Sequence, residues 1–126
     1  MKPGTYPLNL YRGDTGRWRF QLWDDIDKTI PTDLTGVVAV AQIRDMPSGK
    51  LLAPLGCTIV LPNVVEMVLE AVDSMKLPTE AGCVSSTSTA GAWDLELTYP
   101  VGDVLTLLAG PVKVTADVTS PVVMPV

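Results

Sequence analysis

Apolar and polar residues alternate along most of this chain, and a period of two predicts β-strands. Between Gly16 and Trp23, three large apolar side chains fall on one face and polar side chains fall on the other. A strand buried on one side produces this pattern, because successive side chains point to opposite faces of a sheet. The same alternation returns in residues 37–44, 57–61, 93–99 and 112–118.

Turn-forming residues separate these segments at intervals of about 8–12 residues, which is typical of all-β domains. The 11 prolines and 10 glycines exclude a helical bundle, because both residue types destabilise helix interiors. Residues 64–72 fit either a strand or a helix, and their valines favour the strand. Residues 73–78 fit a single helical turn. The pattern as a whole predicts about seven or eight short strands in an antiparallel β-sandwich.

The phase of each strand predicts which side chains face the core. The predicted inward-facing residues are Trp18, Phe20, Leu22, Val38, Val40, Leu95, Leu97, Val112, Val114 and Val118. Trp93 is expected to be buried as well. Trp23 falls on the polar side of its strand, so its ring is a candidate for exposure and for contact with a partner.

Both ends of the chain differ from its middle. Residues 1–7 contain proline and glycine, and residues 120–126 are apolar with no charged side chain. Chain ends are usually polar and frayed. An apolar extended end is therefore either an edge strand of its own domain or an arm that pairs with a neighbouring subunit's sheet. We predict one domain, with an N-terminal arm over 1–7, a sandwich over 8–119 and a C-terminal arm over 120–126.

The composition of the chain argues against several classes of function. The 126 residues include 9 basic and 14 acidic side chains and no histidine. The net charge of −5 argues against nucleic-acid coating, which needs a basic field to displace counterions. No apolar run approaches the roughly 20 residues that span a bilayer. Without histidine the chain lacks the commonest general base and metal ligand. We therefore expect no catalytic residues, no cofactor, no metal, no nucleic acid and no membrane partner.

The balance of apolar and charged residues points to contacts with other subunits. Hydrophobic residues make up 47% of the chain and charged residues only 18%, whereas average domains have about 25% charged residues. This excess indicates either burial against partner subunits or an all-β core that is rich in valine and leucine.

Arginines cluster near the start of the chain, at Arg12, Arg17 and Arg19. Arg17 and Arg19 share the outer face of their strand, where they could meet phosphate or an acidic partner. Residues 1–62 carry 7 basic and 6 acidic side chains, a sum of +1, and residues 63–126 carry 2 and 8, a sum of −6. This asymmetry suits head-to-tail packing of identical subunits, although a solvated sheet face would look the same.

Two further groups of residues carry weaker signals. Asp24, Asp25 and Asp27 could bind calcium, but they lack the EF-hand spacing and its closing glutamate, and a solvated turn explains them as well. Cys57 and Cys83 could form one disulfide bridge or remain two separate, half-buried thiols.

Several short motifs of turn and strand residues follow one another along the chain. They are Gly13-Asp14-Thr15, Pro31-Thr32-Asp33-Leu34-Thr35-Gly36, Ala41-Gln42-Ile43-Arg44, Ala92-Trp93-Asp94-Leu95, Gly102-Asp103-Val104 and Gly110-Pro111-Val112-Lys113-Val114 followed by Asp117-Val118-Thr119. With these motifs, residues 8–119 resemble the small immunoglobulin-like virion proteins of tailed bacteriophages. The resemblance includes the N-terminal domain of baseplate upper proteins and related tail or head accessory proteins.

The resemblance implies a single immunoglobulin-like antiparallel β-sandwich with extended N- and C-terminal arms. It implies a non-enzymatic structural protein of the virion, assembled in the host cytoplasm and placed in the tail, at a baseplate or fibre attachment. The implied partners are other virion structural proteins and further copies of this chain, in a homo-oligomer or a symmetric array. The candidate interface residues are Arg12, Arg17, Arg19, Trp23, Val122, Val123, Met124 and Val126.

Two other functions remain open at this point. A head-decoration (cement) protein would use the same sandwich to stabilise capsid subunits. A host-surface or glycan-binding module would need exposed aromatic side chains beside polar loop groups.

Overall fold

The computed structural model describes residues 3–77 and 87–115, and in these ranges nearly all regular structure is β. The elements are β1 (Gly4–Thr5), β2 (Leu8–Tyr11), β3 (Gly16–Gln21), β4 (Val38–Arg44), β5 (Leu51–Val60), β6 (Val64–Leu69), α1 (Ala71–Ser74), β7 (Thr87–Thr98) and β8 (Val104–Thr115). Val118 and the predicted C-terminal arm, residues 120–126, lie outside the described residues.

The strands form two packed sheets that share one strand. The first sheet contains β4, β7 and β8, with β1 and β2 along the edge of β8. The second sheet contains β3 and β6. Strand β5 belongs to both, because its first half pairs with β4 and its second half pairs with β6.

This strand order is that of an immunoglobulin-like β-sandwich. Strands β3, β6 and the second half of β5 correspond to strands B, E and D of that fold, and β4, β7 and β8 correspond to C, F and G. The predicted fold class is therefore confirmed. One detail differs, because β1 and β2 run parallel to β8. Parallel neighbours need a long connection. Here almost the whole domain lies between β2 and β8 in the chain. Local turn signals in the sequence cannot reveal a strand pairing over that distance.

Both sheets contribute to a single core. Met67 and Leu69 on β6 face Ile43 on β4 and Leu97 on β7, and all four are fully buried. Among the predicted core residues, Trp93, Leu95, Leu97, Val112 and Val114 are buried, and Trp18, Phe20 and Leu22 are partly buried and packed against them. These predictions are confirmed because the segments 16–22, 93–97 and 112–114 each keep one apolar side.

The predicted inner face of β4 is wrong. Val38 and Val40 are 59% and 47% exposed. The buried side of this strand contains Ala41 and Ile43, which continue the phase of Val37 just before it. The two exposed valines share their face with Gln42 and Arg44, and burying that face would also bury an amide and a guanidinium. The desolvation of those polar groups outweighs the burial of two valines.

The N-terminal segment follows the edge of its own domain in the part that is described. β1 pairs with β8, and the Tyr6 N–H donates to the Ala109 carbonyl at 3.0 Å. The Trp93 indole N–H donates to the Tyr6 carbonyl at 2.7 Å. Residues 3–7 are thus an edge strand and its continuation. This is one of the two interpretations of this end, and it replaces the expectation of an extended arm over these residues.

Several local elements differ from the sequence expectation. Strands β7 and β8 begin at Thr87 and Val104, well before the predicted segments 93–99 and 112–118. The predicted strand over 57–61 is the second half of a longer strand, β5, that begins at Leu51, passes Pro54 and ends at Val60. Residues 64–72 divide into β6 and the start of α1, and that helix begins two residues before the predicted turn. The buried Ser74 hydroxyl of α1 accepts a hydrogen bond from the Gly13 N–H at 3.0 Å, which fixes the turn between β2 and β3.

Adjacent valines on opposite faces of the first sheet test the phase of β4. We expect Val37→Ala to lower the free energy of unfolding by about 1–2 kcal/mol, because it removes two buried methyl groups. Val38→Ala should change it by less than about 0.5 kcal/mol, because that side chain is exposed. Urea titration of both variants measures the difference, and equal losses would contradict the described phase.

Close approach of the N-terminal segment to β8 requires a glycine at position 110. A Cβ on Gly110 would lie 2.3 Å from the Tyr6 carbonyl oxygen, whereas a Cβ on Gly56 in β5 would meet its nearest atom at 3.8 Å. We expect Gly110→Ala to destabilise the protein by about 1–3 kcal/mol through this overlap. The control Gly56→Ala should stay near the wild type. A Gly110→Ala variant as stable as the control would rule out the described packing of Tyr6.

Candidate functional site

Two arginines project from the outer face of the second sheet. Arg17 and Arg19 are exposed and alternate on β3 with Trp18 and Phe20, which pack against the core. Neither guanidinium makes a hydrogen bond or an ion pair with any residue in the described part of the chain. Arg19 stands opposite Glu66 in the β3–β6 register, yet the two side chains do not form an ion pair within 4.0 Å. We call Arg17 and Arg19 the arginine face.

Strand β3 also ends the strand order of its sheet. Within residues 3–77 and 87–115 its second edge has no strand partner. An unpaired edge is a template for further pairing, and charged side chains on such a strand limit unspecific association. The arginine face is therefore accessible both from its outer surface and from its edge.

The other predicted interface residues lie apart from the arginine face. Arg12 is half-buried beyond the end of β2, where its N–H donates to the Thr115 carbonyl at 3.0 Å. It thus belongs to the edge of the first sheet. Trp23 is half-buried and forms an isolated bridge with Pro31, so its ring is less accessible than its sequence phase indicates. Val122, Val123, Met124 and Val126 lie outside the described residues.

Exposed valines form a patch on the outer face of the first sheet. Val38 on β4 and Val104 on β8 flank Thr98 on β7 in register, and Val40 is the next outward residue on β4. Val104 is 60% exposed, and Val101 in the adjoining turn is 83% exposed. We call Val38, Val40, Val101 and Val104 the valine patch. Clustered apolar exposure of this kind marks contact sites more often than scattered single residues do.

A groove with a volume of about 560 Å³ crosses the same sheet next to the valine patch. Outward residues of β4 and β7 form its floor, and the hairpin at residues 46–48 forms one wall. Asp94 and Glu96 project into it, because they alternate on β7 with the buried Trp93, Leu95 and Leu97. We call this feature the acidic groove.

The carboxylates of the acidic groove have no partner among the described residues. Neither Asp94 nor Glu96 makes a hydrogen bond or an ion pair there. Arg44 is the one basic residue among the described residues that line the groove. Its guanidinium donates to the Gly49 carbonyl at 2.7 Å and to the Gln42 amide oxygen at 2.8 Å. Arg44 therefore braces the hairpin wall, and both carboxylates remain open to a partner.

Sequence reasoning placed Asp94 and Glu96 on the polar side of a strand but assigned them no site. The groove depends on the pairing of β4 with β7, in which Gln42 stands opposite Asp94 and Val40 opposite Glu96. Those partners are more than fifty residues apart in the chain. The alternation of two acids with three buried residues was the one local signal that could have pointed to the site.

The Asp25 side chain organises the aspartate-rich loop. The Asp25 carboxylate accepts hydrogen bonds from the Thr29 hydroxyl and from the Ile30 N–H, the latter at 2.8 Å. These bonds, the Thr29 hydroxyl first, hold the pKa of Asp25 below its usual value. The described residues contain no group of three side chains placed to hold a metal ion. The Asp24 carboxylate accepts a hydrogen bond from the Thr32 hydroxyl at 2.8 Å, so Asp24 and Asp25 both take part in a structured turn.

Cys57 lies half-buried on β5, with its thiol 3.7 Å from the Leu55 carbonyl oxygen. Burial raises the pKa of this thiol, and a backbone hydrogen bond at Ala41 lowers it to a smaller extent. Cys83 lies outside the described residues. A raised pKa leaves less thiolate at neutral pH, so Cys57 has the character of a structural cysteine rather than a nucleophile.

The raised pKa of Cys57 predicts slow alkylation. In a Cys83→Ser variant, iodoacetamide should modify Cys57 more slowly in the folded protein than in urea, and the rate should continue to rise above the usual thiol range of about pH 8.5. The urea-unfolded chain is the control for the intrinsic reactivity. A folded-state rate that levels off at or below the pH seen in urea would contradict the described environment.

No helix in the described ranges has the length and apolarity needed to cross a bilayer.

Comparison with known proteins assigns this chain to no family. No protein-family model and no curated protein matches this sequence. Among solved structures, the chain is similar to the N-terminal Ig1-2 module of the Drosophila receptor protein tyrosine phosphatase DLAR, with 13% sequence identity and a TM-score of 0.43. The match covers 96% of this chain and 50% of that one, so this chain spans half the length of the structure it matches.

Proposed function

We propose that this chain is a non-enzymatic structural component of a tailed bacteriophage virion, and that it is part of the tail, at a baseplate or a fibre-attachment ring. The order of its motifs resembles that of small immunoglobulin-like virion proteins, and its fold has the expected class. The immunoglobulin-like fold hosts many functions. The proposal therefore depends on what the surface of this particular chain offers.

The valine patch is the observation that carries the proposal. Val38, Val40 and Val104 are more than two-fifths exposed although each could have been a polar residue at no cost to the core. Burial of such side chains against another subunit is favourable, at about 25 cal/mol per Å² of apolar surface removed from water. A protein that works by packing gains from this patch, whereas a protein that stays solvated does not.

The chemistry of the surface also favours binding over catalysis. The sequence contains no histidine, so its serines and cysteines have no imidazole to activate them. Among the charges without a partner in the described ranges, two arginines lie on one outer sheet face, beside Glu66 on the neighbouring strand, and two carboxylates lie on the other face. Open faces with clustered charges suit recognition of a macromolecule, where electrostatic complementarity selects the partner and the orientation.

Quantitative mass spectrometry of particles purified from the source tests the proposal. Trypsin releases residues 20–28 and 29–44, and isotope-labelled versions of both peptides give the amount of this chain relative to the major shell protein. We expect a few to about a dozen copies per particle, because components on the tail axis follow its cyclic symmetry. An abundant host protein measured in the same sample is the control for carried-over material.

Two results would contradict this placement. Hundreds of copies per particle, on the order of the shell protein itself, would make the chain a head-decoration protein that stabilises capsid subunits. Absence from the particle would remove the virion role altogether. The exposed faces would then be better explained if the chain were a host-surface or glycan-binding module.

A further inference from the structure

We propose that the arginine face of one copy docks into the acidic groove of a second copy, so that this chain assembles head to tail. This contact deepens the proposed function and rests on it, because it supplies the packing through which a ring or an array would form. The acidic groove of one copy is then filled by Arg17 and Arg19 of a second, identical chain.

The spacing of the charges matches on the two surfaces. Arg17 and Arg19 are separated by one residue on β3, and so are Asp94 and Glu96 on β7. Side chains two positions apart on a strand point the same way and lie about 6.6 Å apart. Two guanidinium groups can therefore meet two carboxylates at the same time, and arginine can bind each carboxylate through two parallel hydrogen bonds.

The groups on both surfaces are available. Within the described ranges neither the two guanidinium groups nor the two carboxylates make any hydrogen bond or ion pair. Arg44, the basic residue of the groove, is occupied by Gly49 and Gln42. An incoming arginine would thus find two uncommitted carboxylates.

The fold prevents a single copy from closing this contact on itself. The arginine face is on the outer side of the second sheet, and the acidic groove is on the outer side of the first. The sheets of a sandwich are about 10 Å apart, and their outer faces point in opposite directions. The contact must then join two different surfaces of two copies. Such heterologous contacts generate rings when the rotation closes and filaments when it does not.

Charge alone does not hold such a contact, because an exposed ion pair contributes only about 0.2–1 kcal/mol. The apolar contribution comes from the surroundings of the groove. Val40 lines it beside Glu96, and the exposed Met46 forms part of the hairpin wall. The ion pairs would fix the register of the two copies, and the apolar side chains would supply affinity.

Exchange of the charges between the two surfaces tests the contact on the purified full-length chain. One double variant carries Arg17→Glu and Arg19→Glu, and the other carries Asp94→Arg and Glu96→Arg. We expect each variant alone to lose self-association by roughly a hundredfold, because like charges then face each other. An equimolar mixture should recover it, since each altered face meets an opposite charge on the other variant. Sedimentation equilibrium measures all three samples at low salt, about 0.05 M.

A matched control separates the contact from the effect of total charge. Lys28→Glu with Lys113→Glu changes the net charge as much as the arginine variant does, and both lysines are exposed and lie outside the arginine face and the acidic groove. This control should associate as the wild type does. Circular dichroism and urea titration establish that every variant is folded. If a double variant fails to fold, Arg17→Gln with Arg19→Gln and Asp94→Asn with Glu96→Gln replace it, and each should weaken association.

The contact is overturned by a wild type that stays monomeric, by variants that associate as the wild type does, or by a mixture that fails to recover. These results are independent of the particle measurement. A chain that is present in particles but does not self-associate would retain the proposed function and lose this contact. A chain whose charge-exchanged variants recover association on mixing, but that is absent from particles, would retain this contact and lose the proposed function.

Discussion

The indole of Trp93 is the contact on which the described structure depends. It is 2% exposed, donates to the Tyr6 carbonyl at 2.7 Å and stacks with Phe20 at a ring-centroid distance of 6.3 Å. Tyr6 meets both rings edge-on. Three parts of the chain thus meet at one side chain: the N-terminal edge, the second sheet through Phe20, and β7 itself. A buried N–H without its acceptor would cost about 1–3 kcal/mol, so the N-terminal segment is part of the core rather than an appendage.

The burial of Trp93 also determines that the charged side chains of β7 face outward. Because Trp93, Leu95 and Leu97 are fixed in the core, the residues between them must face outward. A slip of one residue would bury Asp94 and Glu96 and expose the three large side chains. The free-energy cost of burying two unpaired carboxylates makes that register unavailable. The acidic groove is therefore held by the packing beneath it, and the same reasoning places Arg17 and Arg19 outward through Trp18 and Phe20.

The sequence predicts the fold well where one face of a strand is strictly apolar. The alternation in β3 and β7 gave the inner sides of both strands correctly, although β7 begins at Thr87, six residues before the predicted segment. It failed on β4, where valines on the outer face were more hydrophobic than Ala41 on the inner face, and where the polarity of Gln42 and Arg44 was the better guide. The shared strand β5 and the parallel pairing with β8 depend on long-range contacts, which local patterns do not encode. For the same reason the sequence located the arginines of the proposed contact but not the groove, which exists only once β4 and β7 are paired.

These features together support the proposal that this chain is a virion component whose copies pack through the two outer faces of the sandwich. Electron cryomicroscopy of purified particles, at a resolution that separates strands, tests it most directly. We expect sandwich density in a tail ring, with β3 of each copy packed against the β4–β7 face of the next copy. Particles without such density, or copies whose arginine face and acidic groove both face solvent, would contradict it.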